Sequence, residues 1–142
     1  MASRGLELVK AAIESTLKTN RWGPYLKNLE VLSAANGQCK AEFTVKEEQL
    51  NYAGSLHGGC VCSLVDCVSS YALLTQGKGH QGVSVNMNIS FMKAAMPDEV
   101  ITVEAKTMKL GRTLAFLDVE LSKKKDGSLI ARAAHTKFVG FD

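Results

Sequence analysis

Between Glu48 and Lys78 the chain carries one formal charge, Asp66, set in a stretch of small and apolar residues from 58 to 75. Val61, Val65, Val68 and Ala72 recur there at helical spacing, and the other faces carry mainly Gly, Ala, Cys and Ser. A helix so free of charge must be covered on nearly every side. It is not a bilayer span, because Asp66 stands near its centre among several serines and glycines. The fold is therefore organised around one central helix, and the rest of the chain must supply its cover.

Strands supply it. Val83, Val85, Met87, Ile89 and Phe91 alternate with Ser84, Asn86, Asn88 and Ser90, which predicts a strand with one apolar and one polar face. Val100 to Leu110, Thr113 to Lys123 and Leu129 to Val139 follow, parted by turns at Leu110-Gly111-Arg112 and Asp126-Gly127. Upstream, Leu29 to Ala35 and Gln38 to Val45 are joined by Asn36-Gly37, a two-residue hairpin signal. Leu6, Val9, Ile13 and Leu17 form one stripe of a surface helix expected to end near Asn20, ahead of Gly23-Pro24. Parallel strands need long crossovers, and these turns are too short for them. The expected architecture is α+β, an antiparallel sheet curled around a long central helix. It forms a single domain over 1–142, with 1–22 an N-terminal amphipathic helix. The sheet edges and the small-residue flanks of the central helix call for a second subunit to cover them.

A net charge of +3 is too weak and too dispersed for nucleic acid, but it suits a small ligand bearing phosphates. Cys39, Cys60, Cys62 and Cys67 lack metal-site spacing and read as reduced, buried thiols. His57, His80 and His135 fall at a helix entry, in a glycine-rich loop and in a strand, so no metal is expected. The N-terminus has no apolar signal core, and Glu7 and Glu14 argue against a transit peptide. A cytoplasmic protein is expected, with a mitochondrial location as the alternative.

Asp66 lies off the apolar stripe, on a flank shared with Gly59, Cys62, Ser69, Ser70 and Leu73. Two turns earlier, His57-Gly58-Gly59 marks the helix entry, where first-turn amides lack intrahelical partners and carry the positive end of the dipole. A glycine there lets a substrate carbonyl come close to the backbone N–H. With Asn51, a side chain that donates and accepts, the combination reads as a catalytic site. His57 is assigned a supporting part, because no Ser or Cys stands out as its nucleophile.

Asn51-x-x-Gly54-x-Leu56-His57-Gly58-Gly59, Leu64-Val65-Asp66, Gly82-Val83-Ser84-Val85-x-Met87-Asn88, Leu110-Gly111-Arg112-Thr113-Leu114-Ala115-Phe116 and His135-Thr136-Lys137 resemble the hotdog-fold acyl-CoA thioesterases. The resemblance runs from about Leu29 to Gly140. It implies a homodimer joined at sheet edges, assembling to a homotetramer, with each active site between two subunits. Asn51, His57 and Gly58 would come from one chain, Asp66 and Ser84 from its neighbour. The Gly58 amide would hold the thioester oxyanion, Asn51 would orient water or substrate, and Asp66 would activate water held by Ser84 or attack as a nucleophile itself. Coenzyme A, part of the substrate and not a separate cofactor, would lie along Phe91, Met92, Lys93, Ala94, Ala95 and Met96. Its other contacts would be Ser84, the Lys109, Leu110, Gly111, Arg112, Thr113 and Leu114 loop, and Phe138 or Lys137. The implied reaction is hydrolysis of medium- to long-chain fatty acyl-CoA. The alternatives are an acyl-thioester hydratase or dehydratase using His57, and a non-catalytic acyl-CoA binder.

Overall fold

The computed structural model describes residues 3–22 and 26–141. Helix α1 (Arg4–Leu17) begins at Ser3, whose hydroxyl accepts from the Leu6 N–H at 3.1 Å and donates to the Ala34 carbonyl at 2.9 Å. The cap thus also anchors the helix to the sheet. Val9 is fully buried, while Leu8 and Leu17 remain exposed. The helix stops before Asn20 because Thr19 folds back on it, donating to the Thr16 carbonyl at 2.8 Å and accepting from the Arg21 N–H. Gly23-Pro24, ahead of which the helix was expected to end, lies outside the described residues.

Strands β1 (Leu29–Ala35) and β2 (Gln38–Thr44) meet at Asn36 and Gly37, with φ of 52° and 79°. Paired positive φ is what a two-residue turn of this hand requires. Helix α2 (Gly58–Leu74) follows, then β3 (Val83–Phe91), β4 (Val100–Leu110), β5 (Leu114–Lys123) and β6 (Leu129–Phe138). All six strands form one antiparallel sheet in the order β1-β2-β4-β5-β6-β3. Helix α2 packs against every strand, most extensively β4 and β2, so the sheet does curl around it and the architecture is α+β. Val61, Val65, Val68 and Ala72 are buried as the stripe requires, against Phe43, Ile101, Leu117 and Leu121. None of the helices among the described residues is long and apolar enough to cross a membrane.

Strand β3 departs from expectation. Its apolar residues were expected to face inward together, yet Val83, Val85 and Phe91 are 54%, 58% and 58% exposed. The reason is twofold: β3 is an edge strand paired only with β6, at the margin of what α2 covers, and a bulge at Val85 leaves that residue unpaired and turns Val83 to the outer face.

Candidate active site

The entry of α2 is built by its own N-cap. His57 Nδ1 accepts from the Gly59 N–H at 2.8 Å, and the His57 N–H donates to the Gln49 carbonyl at 2.8 Å. A Cβ on Gly59 would lie 3.0 Å from that imidazole nitrogen, so a side chain there would push the cap aside. With Gly59 engaged, the Gly58 N–H has no intrachain hydrogen-bond partner among the described residues. Next to it lies a pocket of about 390 Å³ lined by Asn51, Leu56, Gly58, Val61, Phe91, Met92, Lys93, Ala94, Ala95 and Ile130. Asn51 Oδ1 accepts from the N–H groups of Ala53 and Ser55, and Nδ2 donates to Ser55 Oγ at 3.0 Å. Both acceptor sites are taken and one amide hydrogen is left, so Asn51 can offer substrate a donor but no acceptor.

A second polar cluster lies two turns further along α2. Ser84 Oγ donates to Asp66 Oδ1 at 3.0 Å and lies 2.8 Å from His135 Nε2. Ser69 Oγ is 2.7 Å from His135 Nδ1, and Lys137 donates to Ser70 Oγ. His135 and Lys137 are 1% and 2% exposed, while the Asp66 side chain is 51% exposed. Burial pushes the pKa of His135 down, helped by Lys137 and opposed by Asp66. Burial likewise lowers that of Lys137, against the pull of Asp66. Asp66 is thus an open carboxylate backed by a closed polar layer.

Ser84 reaches this cluster through a bulge. On β3 it pairs with Lys137, but Asn86 pairs with Thr136 and Met87 with His135, so Val85 is the extra residue. Paired residues share a face, and His135 and Lys137 are two apart on β6. Ser84 therefore lies on the helix-facing side with Met87, not on the side of Asn86 and Asn88, where strict alternation puts it.

Gly58 and Asp66 are separated by about 12 Å along the helix axis at 1.5 Å per residue. Within one chain the Gly58 N–H and the Asp66 carboxylate therefore stand apart. The flanking residues divide in the same way. Phe91 to Ala95 lie by Gly58, with the Ala95 carbonyl accepting the Leu56 N–H at 2.8 Å, while Met96 donates its N–H to Glu99 and does not line the pocket. The loop from Lys109 to Leu114, by contrast, lies at the Ser84 end of the sheet, because Val83 and Leu114 both pair with Phe138. Lys109, Arg112 and Thr113 are exposed there, and Leu110, Gly111 and Arg112 border a smaller pocket with Leu73 and His80. Lys93 reaches Ser128 at 3.4 Å. Lys137, expected beside coenzyme A, is instead buried between sheet and helix because its inward strand position aims it at Ser70.

Sequence reasoning missed His135 and Lys137 as members of the Asp66 cluster, having considered His135 only as a metal ligand. The available signal was two basic residues on the same face as Ala131 and Ala133, an inward face with no business holding charge. Lys137 also acts on Cys67, but burial and Asp66 outweigh it and push that thiol up to about 11. Burial raises Cys39 to about 12 and Cys60 to about 11 as well, which leaves these thiols protonated. Among the described residues no group of three or more His, Cys, Asp or Glu could hold a metal ion.

The family model described as Thioesterase superfamily matches residues 53–130. Acyl-coenzyme A thioesterase 13 of Homo sapiens is 41% identical over 132 residues, covering 93% of this chain and 94% of that protein. The crystal structure of zebrafish thioesterase superfamily member 2 superposes with a TM-score of 0.93 at 42% identity, over 97% of this chain and 100% of that one. A hypothetical thioesterase from Streptococcus pneumoniae, crystallised with coenzyme A, gives a TM-score of 0.76 at 29% identity, over 80% and 87% of the two chains. With the family model spanning more than half of the sequence and the human relative nearly all of it, the chain belongs to the thioesterase superfamily, as an enzyme that hydrolyses thioesters.

Proposed function

We propose that the enzyme hydrolyses fatty acyl-CoA to free acid and CoA in sites shared by two copies of the chain, joined at β3. The observation that carries this reading is the placement of the half-sites along one edge strand. Ser84 and Asp66 lie at the start of β3, and Gly58 stands against Phe91 at its end, where a Cβ on Gly58 would meet the Phe91 ring at 3.5 Å. Antiparallel pairing of β3 with its own copy about a two-fold axis sets the start of one strand against the end of the other. The Gly58 amide of one protomer then meets the Asp66 carboxylate of its partner. The same axis carries the Lys109–Leu114 loop of one copy toward Phe91–Met96 of the other, so the cations Lys93, Lys109 and Arg112 gather around one phosphate-bearing ligand.

The chemistry follows from the donors present. The thioester carbonyl accepts from the Gly58 N–H at the positive end of α2, which stabilises the oxyanion as it forms. The spare Asn51 amide hydrogen adds a second donor nearby. Asp66 takes a proton from water as the water oxygen bonds to the thioester carbon, and the CoA thiolate leaves on collapse. Leu56, Val61, Met92 and Ile130 give the pocket beside Gly58 apolar walls suited to a hydrocarbon chain. The bacterial relative crystallised with coenzyme A supports the substrate class.

Release of free thiol from a panel of acyl-CoAs tests the reaction. Medium- and long-chain substrates should be cleaved, and Asp66→Asn should lower kcat by roughly 100-fold or more with the melting curve unchanged, the scale of a lost general base. An intact thioester with altered acyl chain would mean a dehydratase. Near wild-type turnover in the Asn variant would remove Asp66 from the chemistry.

A further inference from the structure

We infer that His135 is a positioning residue of the hydrolytic site, fixing the proton of Ser84 toward Asp66 so that the serine oxygen receives the attacking water as an acceptor only. The inference rests on the reading of Asp66 as the base. It follows from proton counting in a network that runs from the buried Ser69 and His135 to the open Asp66 carboxylate. An ionised carboxylate accepts only, so the single hydroxyl hydrogen of Ser84 is used on Asp66 Oδ1, 3.0 Å away. His135 Nε2, 2.8 Å from Ser84 Oγ, must then carry a hydrogen and donate it to that oxygen. Burial keeps the imidazole neutral, so Nδ1 is bare and accepts the hydroxyl hydrogen of Ser69 at 2.7 Å. Ser69 in turn gives up the Asp66 backbone carbonyl, which still accepts from Ser70 at 2.7 Å.

This assignment alone pairs Asp66 Oδ1 together with Ser84, Ser69, both imidazole nitrogens and the Asp66 carbonyl. The opposite tautomer, with the hydrogen on Nδ1, draws the Ser84 proton to Nε2 and strips the carboxylate of its hydroxyl partner. The difference matters for the reaction. A serine hydroxyl free to rotate can donate to the water oxygen and occupy the lone pair that must attack. Held by His135 and committed to Asp66, Ser84 keeps one lone pair to accept from water and leaves the nucleophilic lone pair open. His135 never touches the water; it acts through Ser84.

Steady-state kinetics on acyl-CoA separate this from a packing role. His135→Leu should lower kcat by roughly tenfold, the factor that one hydrogen bond to a charged pair represents, with KM nearly unchanged. His135→Gln, which keeps an N–H within reach of Ser84, should recover most of that loss. In a Ser84→Ala background His135→Leu should cost nothing further. Wild-type kcat in His135→Leu, equal loss in the Gln and Leu variants, or multiplied losses in the double variant would each overturn the inference. Asp66→Asn and Ser84→Ala run in parallel: if both keep wild-type turnover the Asp66 reading itself fails, and if both fall while His135→Leu does not, only this inference fails. The imidazole ¹⁵N spectrum of the folded wild-type enzyme, with the His135 signal identified by its loss in His135→Gln, gives an answer that does not depend on how the Leu variant folds. It should show the hydrogen on Nε2, and a hydrogen on Nδ1 would overturn the inference.

Discussion

His135 is held between Ser69, Ser84 and the Asp66 carboxylate, with Lys137 two residues away on the same face of β6. Burial and Lys137 lower its pKa below the ordinary 6.5, Asp66 opposing them. The folded chain is therefore the weaker base. As pH falls below 6.5 the unfolded chain takes up the proton first, so stability is complete above 6.5 and declines as pH drops from there toward the folded pKa. Glu99 and Asp126, whose pKa values are lowered, add to acid lability only below the ordinary carboxylate range. The melting temperature of the wild type should thus fall as pH is lowered through the range just under 6.5, and His135→Gln should flatten that decline. Equal slopes in the two proteins would show that His135 is not a proton-sensitive element of the fold.

At the level of elements, most of the layout was legible because each signal was local. The alternation of Val83 to Phe91 and the Asn36-Gly37 turn depend on neighbours in sequence, and the strand and hairpin lie where they predict. The direction of Ser84 was not legible. It turns on one unpaired residue, Val85, and a bulge is a property of the β3–β6 pairing that the alternation of β3 alone does not contain. Lys137, set beside coenzyme A on resemblance, shares the inward face of Ala131 and Ala133, and the packing of β6 onto α2 brings it to Ser70. The bulge carries its own prediction. Deleting Val85 makes Ser84 and Asn86 consecutive partners of Lys137 and Thr136, which leaves Ser84 on the helix-facing side, so kcat should stay well above the level of Ser84→Ala while the far-UV circular dichroism is retained. Activity as low as that of Ser84→Ala would mean that the bulge itself, and not only the face it gives Ser84, is needed.

For the whole molecule, the proposed reading gives each chain two incomplete sites. Gly58 with Asn51 borders the apolar pocket, and Asp66 with Ser84 lies about 12 Å along the same helix. The sequence suggested this division only through family resemblance, since spacing along α2 does not say which chain supplies the missing half. The edge position of β3, with Val83, Val85 and Phe91 uncovered, gives the physical reason for a partner. The direct measurement is thiol release by hybrids of Asn51→Ala and Asp66→Asn subunits, each inactive alone, mixed one to one with hybrid formation verified by mass spectrometry. A shared site leaves one intact centre in every hybrid dimer, and random assortment predicts recovery of about a quarter of wild-type activity. Hybrids as inactive as their parents would contradict the account, because a site held within one chain gains nothing from exchange.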